Sequence, residues 1–276
     1  MRITLLLVHL MLAGFVLETG PLDRMTIKGS DTMRMLATAW AKTFQLRYPD
    51  VQIDVEGGGS GVGISALIEG RADVCASSRR IRPSEVSAFR ARYKTEPVEI
   101  AVARDGIGIF VHESNRLTEL STSAVRKIFT GQIRNWKEVG GPDLPIILYG
   151  RDKLSGTTAF MQDELLGNEG FDPSITVFSE TNSILQAVAA VPGAIGYGSS
   201  AYGLRTKELR LRPDGGADSF FPSAKNIREG TYPLTRTLYL YHAPRPRKTV
   251  VQFIEWVRSE DAQSIIGELG YLPPSP

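Results

Sequence analysis

The segment MTIKGSDTMRMLATAWAKTFQLRYPDVQIDVEGGGSGVG, residues Met25–Gly63, decides the fold. Met25–Gly29 alternates as a short strand and ends in glycine. Ser30, Asp31 and Thr32 supply N-cap chemistry, and Met33, Leu36, Trp40 and Phe44 recur at helical spacing, which predicts a helix from Met33 to Tyr48. Pro49-Asp50 breaks it, Val51–Val55 alternates as a second strand, and the glycine-rich turn Gly57–Gly63 feeds a second helix through Ile68. Strand–turn–helix units in succession predict an α/β protein whose parallel sheets carry helices on both faces.

The same pattern continues toward the C-terminus. Ala72–Ala76 reads as a small-residue strand, Pro83 to about Tyr93 as a helix, and Val98–Ala103 and Gly106–Val111 as two consecutive strands. Ile146–Tyr149 is a strand running into Gly150–Thr157, with a helix from Thr158 to about Leu166. A helix over Ser183–Val191, strands at Ala194–Gly198, Leu209–Arg212 and Thr235–Tyr241, and one amphipathic helix over Val250–Glu268 complete the series, with 213–232 read as loop. Toward the N-terminus, Met1-Arg2 precedes an apolar run from Ile3 to Leu17. A positive start and an apolar run of about 15 residues outline a secretory signal over roughly residues 1–20. The run is shorter than the ~20 residues a membrane-spanning helix needs. No cysteine lies nearby for a lipid anchor, so the expectation is a chain that is exported and soluble.

Composition removes several function classes. In 276 residues, 32 Lys and Arg nearly balance 30 Asp and Glu, giving a net charge of +2 without the basic excess of a nucleic-acid binder. One cysteine, Cys75, excludes a disulfide framework and a thiolate metal cluster, and three histidines leave little for an imidazole site. His112 and His242 sit in apolar strand contexts and read as structural. Arg79-Arg80 and Arg82 read as a solvated loop, and Trp40, Trp136 and Trp256 as core. The glycine run fits neither G-x-x-x-x-G-K-[ST] nor G-x-G-x-x-G, and G-x-S-x-G fails at Val62. No metal, no cofactor and no catalytic residue is expected; the reading is binding.

Four junctions carry one chemistry. Gly29-Ser30-Asp31-Thr32, Gly59-Ser60-Gly61, Ser77-Ser78-Arg79 and Ser155-Gly156-Thr157 each place small hydroxyl residues where a helix is expected to begin. A helix start offers unpaired N–H groups and roughly half a positive charge, a hydroxyl adds a donor, and glycine admits close approach of the backbone. Several such ends at the carboxyl edge of parallel strands make a cage of neutral donors for an anion. Arg151, four residues before Ser155, adds a charge-assisted contact.

These motifs, together with Phe129–Trp136, Arg151–Thr157 and Pro192–Tyr197, resemble the periplasmic phosphate-binding proteins, the substrate-binding components of phosphate ABC transporters, over nearly all of 25–272. The resemblance implies a two-lobed type II periplasmic-binding-protein fold with a two-stranded hinge and a ligand cleft between the lobes. Lobe I would comprise 23–103 plus 233–276 and lobe II 104–232, crossing at Val102–Asp105 and Pro233–Thr235. It implies a phosphate site of Thr32 and the Met33 amide with Ser30 adjacent, Ser60, Ser78, and Arg151, Ser155, Gly156 and Thr157. The implied partners are inorganic phosphate and a membrane permease, for a periplasmic monomer. In this sequence Ser78 stands where many members have an aspartate that accepts the ligand's proton. A hydroxyl can donate or accept, whereas a carboxylate repels an unprotonated dianion. Sulfate or molybdate therefore stays open as an alternative ligand unless Asp31 or another carboxylate substitutes. A phosphate-sensing surface protein without a transporter, and a secreted hydrolase using Ser155, are the remaining alternatives.

Overall fold

Alternation along the central strands sorts their side chains between two layers of helices. On β3 (Val74–Ser77), Val74 and Ala76 enter one apolar cluster while Cys75 enters another. On β10 (Thr235–His242), Leu238 and Leu240 face the first cluster, and Tyr239 and Tyr241 the second. That period of two is what a sheet buried on both sides requires. The structure is a computed structural model that describes residues 23–203 and 206–274; the expected leader, 1–20, lies outside the described residues.

Two sheets share one long strand. β1 (Asp23–Gly29) lies between β2 (Val51–Glu56) and β3, parallel to both, and β10 pairs antiparallel with β3. β10 then pairs antiparallel with residues 98–106 of β4 (Val98–Val111). Residues 107–111 of β4 leave that partner and pair antiparallel with β8 (Ala194–Ser199) on one side, and residues 109–111 with β9 (Lys207–Arg212) on the other. β5 (Glu119–Ser121) extends the second sheet beside β9, and β6 (Ile147–Arg151) and β7 (Thr176–Phe178) extend it beyond β8. The molecule is an α/β protein of two lobes. Its sheets are mixed, which corrects the expectation of purely parallel ones, because β4 and β10 both run between the lobes.

In the first lobe, α1 (Asp31–Arg47) buries Met33, Leu36, Trp40 and Phe44 against β1 and against α8 (Lys248–Val257) and α9 (Glu260–Glu268). α2 (Ser60–Glu69) and α3 (Pro83–Tyr93) cover the opposite face around Ile64, Leu67 and Phe89. The second lobe packs α4 (Thr122–Phe129), with Val125, Ile128 and Phe129, around Trp136 and Tyr197. α6 (Thr181–Ala190) closes its other face with Ile184 and Val188. Fully burying each such apolar side chain contributes about 1.5–3 kcal/mol.

Several expected boundaries move. The two strands expected over 98–111 are one, since Arg104 and Asp105 continue the ladder opposite Thr237 and Arg236. The single helix expected over 250–268 is broken at Arg258-Ser259, where the Ser259 hydroxyl caps α9 by accepting from the Ala262 N–H. The helix expected from Thr158 begins earlier, as α5 (Gly156–Phe160), and widens into a π-helical turn over Met161–Leu166. The region read as loop holds α7 (Ala224–Arg228), capped by Ser223. Beyond it, Leu272 packs into the second lobe's core and pairs with Arg104, so the C-terminal segment also touches both lobes.

Candidate functional site

The carboxyl ends of β1, β3 and β6 meet with the crossing strands at one buried place. Ser30, at the N-cap of α1, is 3% exposed, and its backbone N–H donates to Ala76 O at 2.8 Å. Its side chain makes no capping bond, contrary to the expected capping. Thr32, one residue into that helix, is buried. The Met33 amide donates to Ser30 O at 3.0 Å and the Met33 side chain lies in the core, so that amide is engaged within the helix start. Gly58 and Gly59 both have φ near +100°, which only glycine adopts without strain, and they turn the chain into α2 at Ser60. The Ser60 hydroxyl accepts from the Ser78 N–H at 3.0 Å and lies 3.3 Å from Ser78 Oγ. Ser78 does not start a helix: β3 ends at Ser77, and α3 begins at Pro83. Arg79, expected to be solvated, pairs with Glu85 at 2.7 Å.

The second lobe brings the remaining residues. Asp152 Oδ1 accepts from the Leu154 and Ser155 N–H groups at 2.7 and 3.1 Å, folding the turn after β6 into the start of α5. The Ser155 hydroxyl accepts from the Thr157 and Thr158 N–H groups at 3.1 and 3.4 Å. Tyr197 Oη accepts from the Arg151 N–H at 3.2 Å and lies 3.0 Å from Thr158 Oγ1, whose own proton goes to Arg151 O. This triangle fixes the Arg151–Thr158 turn. Burial pushes the Tyr197 phenol up, and it remains protonated.

The two halves touch. Gly61 N–H donates to Leu154 O at 3.0 Å, and a Cβ on Gly59 would come within 2.7 Å of the same oxygen. A Cβ on Gly156 would collide with both Ser60 Oγ and Ser78 Oγ. Thr32 Oγ1 and Thr157 Oγ1 are 3.2 Å apart. The Arg151 guanidinium reaches Asp31 Oδ2 at 3.3 Å and Thr181 Oγ1 at 3.2 Å, and Asp31 Oδ2 accepts from the Thr181 N–H at 3.2 Å. Asp31 thus serves Arg151 and the N-terminus of α6 together. Arg151 Nε is buried without a hydrogen-bond partner among the described residues, and an unpaired buried donor costs free energy.

Sequence reasoning missed a second guanidinium. Arg236, on β10, is 5% exposed and donates through Nε and Nη2 to Asp105 Oδ2 at 3.0 and 2.8 Å. Its remaining donors reach Thr157 Oγ1 and Thr32 Oγ1, each at 3.0 Å, and it lies over the Phe160 ring. Ser199 Oγ donates to the other oxygen of Asp105 at 2.6 Å. Burial lowers the Arg236 pKa and raises that of Asp105, and each charge offsets the other's desolvation. Removing either partner of such a pair costs about 3–5 kcal/mol. The available signal was charge inside apolar strands, Arg104-Asp105 between Ala103 and Ile107, and Arg236 between Leu234 and Leu238.

Two arginines, two paired carboxylates and five buried hydroxyls therefore converge from both lobes and the crossing strands. A groove of about 440 Å³, lined by Ser78, Arg79, Arg80, Phe160 and Arg236, leads to this cluster from the surface. Among the described residues no group of His, Cys, Asp and Glu is placed to hold a metal ion. Cys75 is fully buried, and burial pushes its thiol up. His112 and His242 bond locally, to Ser114 and to the Ala243 carbonyl. No helix among the described residues is long and apolar enough to cross a membrane.

Known proteins resemble this chain in sequence and fold. A family model described as the PBP superfamily domain matches residues 18–261. The phosphate-binding protein PstS of Pseudomonas aeruginosa is 30% identical over 272 residues, covering 92% of this chain and 84% of the relative. The protein of the same name from Bacillus subtilis is 34% identical over 251 residues, covering 90% and 80%. Among solved structures, a Clostridium perfringens chain with bound phosphate, assigned as a phosphate ABC transporter substrate-binding protein, superposes with a TM-score of 0.83 at 26% identity. The match covers 92% of this chain and all of that one. An ABC-type phosphate transport receptor from Vibrio cholerae gives 0.73 at 28% identity, covering 91% of this chain and all of that one.

Proposed function

The chain belongs to the phosphate-binding proteins of the PBP superfamily, and from that membership we propose that it captures inorganic phosphate between its lobes for uptake by an ABC transporter. It is a binding protein and not an enzyme. The observation that carries the reading is the buried donor cluster shared by the two lobes. Thr32, Ser60 and Ser78 come from one side, and Arg151, Ser155, Gly156 and Thr157 from the other, with Ser30 behind the first helix start. Neutral hydroxyls and neutralised guanidiniums suit a cargo that must be released again, since they bind without a large net charge.

In this reading the lobes are 23–103 with 233–276, and 104–232, hinged where β4 and β10 run between them. Phosphate stabilises the conformation in which the lobes meet, because only there do both sets of donors reach it. The loaded protein acts outside the cytoplasm as a monomer and presents its cargo to a membrane permease. A thermal-shift panel tests the ligand, because an anion that binds only the native state raises the melting temperature. Phosphate and arsenate should raise it most, with equal concentrations of sulfate or molybdate giving smaller shifts, and Arg151→Ala should abolish the shift. No shift with phosphate at millimolar concentration would sink the assignment.

A further inference from the structure

The hydrogen bonds behind the site hydroxyls constrain which way each can point. A guanidinium only donates, so Thr32 Oγ1 and Thr157 Oγ1 both accept from Arg236, each at 3.0 Å. The two oxygens also lie 3.2 Å apart, in a contact that either can donate, so at least one of their two protons is left to go forward. Ser60 Oγ accepts from the Ser78 N–H at 3.0 Å, and Ser155 Oγ from two N–H groups of α5, at 3.1 and 3.4 Å, with the same consequence. Ser78 Oγ is different: its partner is Ser60 Oγ at 3.3 Å, in a bond that runs in either direction. Asp105 holds Arg236 through two of its donors, and Phe160 lies beneath the guanidinium, so this orientation is rigid.

Resting on phosphate as the ligand, we propose that Arg236 is a positioning residue that sets ligand specificity: it commits Thr32 and Thr157 as donors and leaves Ser78 as the hydroxyl that accepts the ligand's proton. The chemical class bound best is a tetrahedral dianion that carries one proton, hydrogen phosphate. Its unprotonated oxygens take the protons that these hydroxyls send forward, and its P–OH meets Ser78. A fully deprotonated dianion such as sulfate is still admitted, because the Ser78 hydroxyl can turn and donate. Preference for phosphate over sulfate is then modest, and smaller than a carboxylate at position 78 would impose.

Calorimetric titrations of phosphate and sulfate into the full chain test this, across pH values spanning the second ionisation of phosphate. For the wild type, phosphate affinity should rise through that ionisation. Arg236→Gln places an amide that accepts as well as donates; it should weaken phosphate binding by about 10- to 100-fold and flatten the pH dependence. Arg236→Lys, donor-only like arginine, should recover the pH dependence at intermediate affinity. Wild-type affinity and pH profile in Arg236→Gln would overturn the assignment. If that variant does not fold, Ser78 still decides: Ser78→Ala should cut the phosphate-to-sulfate preference several-fold and Ser78→Asp should increase it. An unchanged preference in both overturns the proposal while leaving phosphate binding intact. A wild type that binds no phosphate overturns the function, and this assignment with it.

Discussion

Glu208, on β9, carries a carboxyl that burial pushes up to about 7, with the nearby Asp105 charge adding to the effect and a 3.4 Å bond from Ser200 Oγ opposing it. Its Oε1 has no hydrogen-bond partner among the described residues. The folded protein therefore holds this proton over a pH range in which the unfolded chain has released it. Stability is full below the ordinary carboxyl value of 4.5 and falls as pH rises toward 7, by roughly 3 kcal/mol in all. Glu208→Gln should raise the melting temperature at about pH 8 and leave it little changed at about pH 4.5. Equal effects at both pH values would contradict the buried-acid reading. At this scale Ser60, Ser155 and Thr157 were legible, because short hydroxyl residues beside glycine at a helix start have few other uses. Arg236 and Asp105 were not. A charge in an apolar strand reads as solvent-facing until pairing across 131 residues of sequence buries it.

The starts of α1, α2 and α5 could be read from their glycine and hydroxyl residues and that of α3 from Pro83, whereas Ser77-Ser78-Arg79 is not the helix start its hydroxyls suggested. Ser77 continues the β3 ladder opposite Tyr239, and the helix waits for Pro83, where proline's missing N–H costs nothing. The start of α6 was missed as part of the site, since its partner, Asp31, comes from the other lobe. The same two helices are joined again at the surface. Arg34 on α1 donates twice to Glu180, the N-cap of α6, both bonds at 2.8 Å, with the two side chains 37% and 39% exposed. An exposed pair contributes only about 0.2–1 kcal/mol and is screened by salt. As a clasp between lobes it acts on release. Arg34→Ala should weaken phosphate binding by roughly two- to fivefold at low ionic strength, chiefly through faster dissociation. Stopped-flow release measured at low and high salt checks this, and a variant indistinguishable from wild type at low salt contradicts it.

At the scale of the whole molecule, β4 is the element on which the lobes turn. Its first part belongs to one sheet and its last five residues, 107–111, to the other. The α/β class and the succession of elements follow from local periodicity, whereas the antiparallel crossing of β4 and β10 is a long-range pairing that no window of sequence displays. That crossing sets Arg236 between Thr32 and Thr157. We propose that phosphate is held where the lobes meet. Gly156 is the point of contact: a side chain there would strike Ser60 and Ser78 without disturbing either lobe's core. Calorimetric titration of phosphate into the wild type and into Gly156→Ala is the most direct test. The prediction is one phosphate per wild-type chain and at least a 100-fold loss (about 3 kcal/mol) in a variant that still folds. A wild type that takes up no phosphate, or a Gly156→Ala chain that binds it as tightly, would contradict the account.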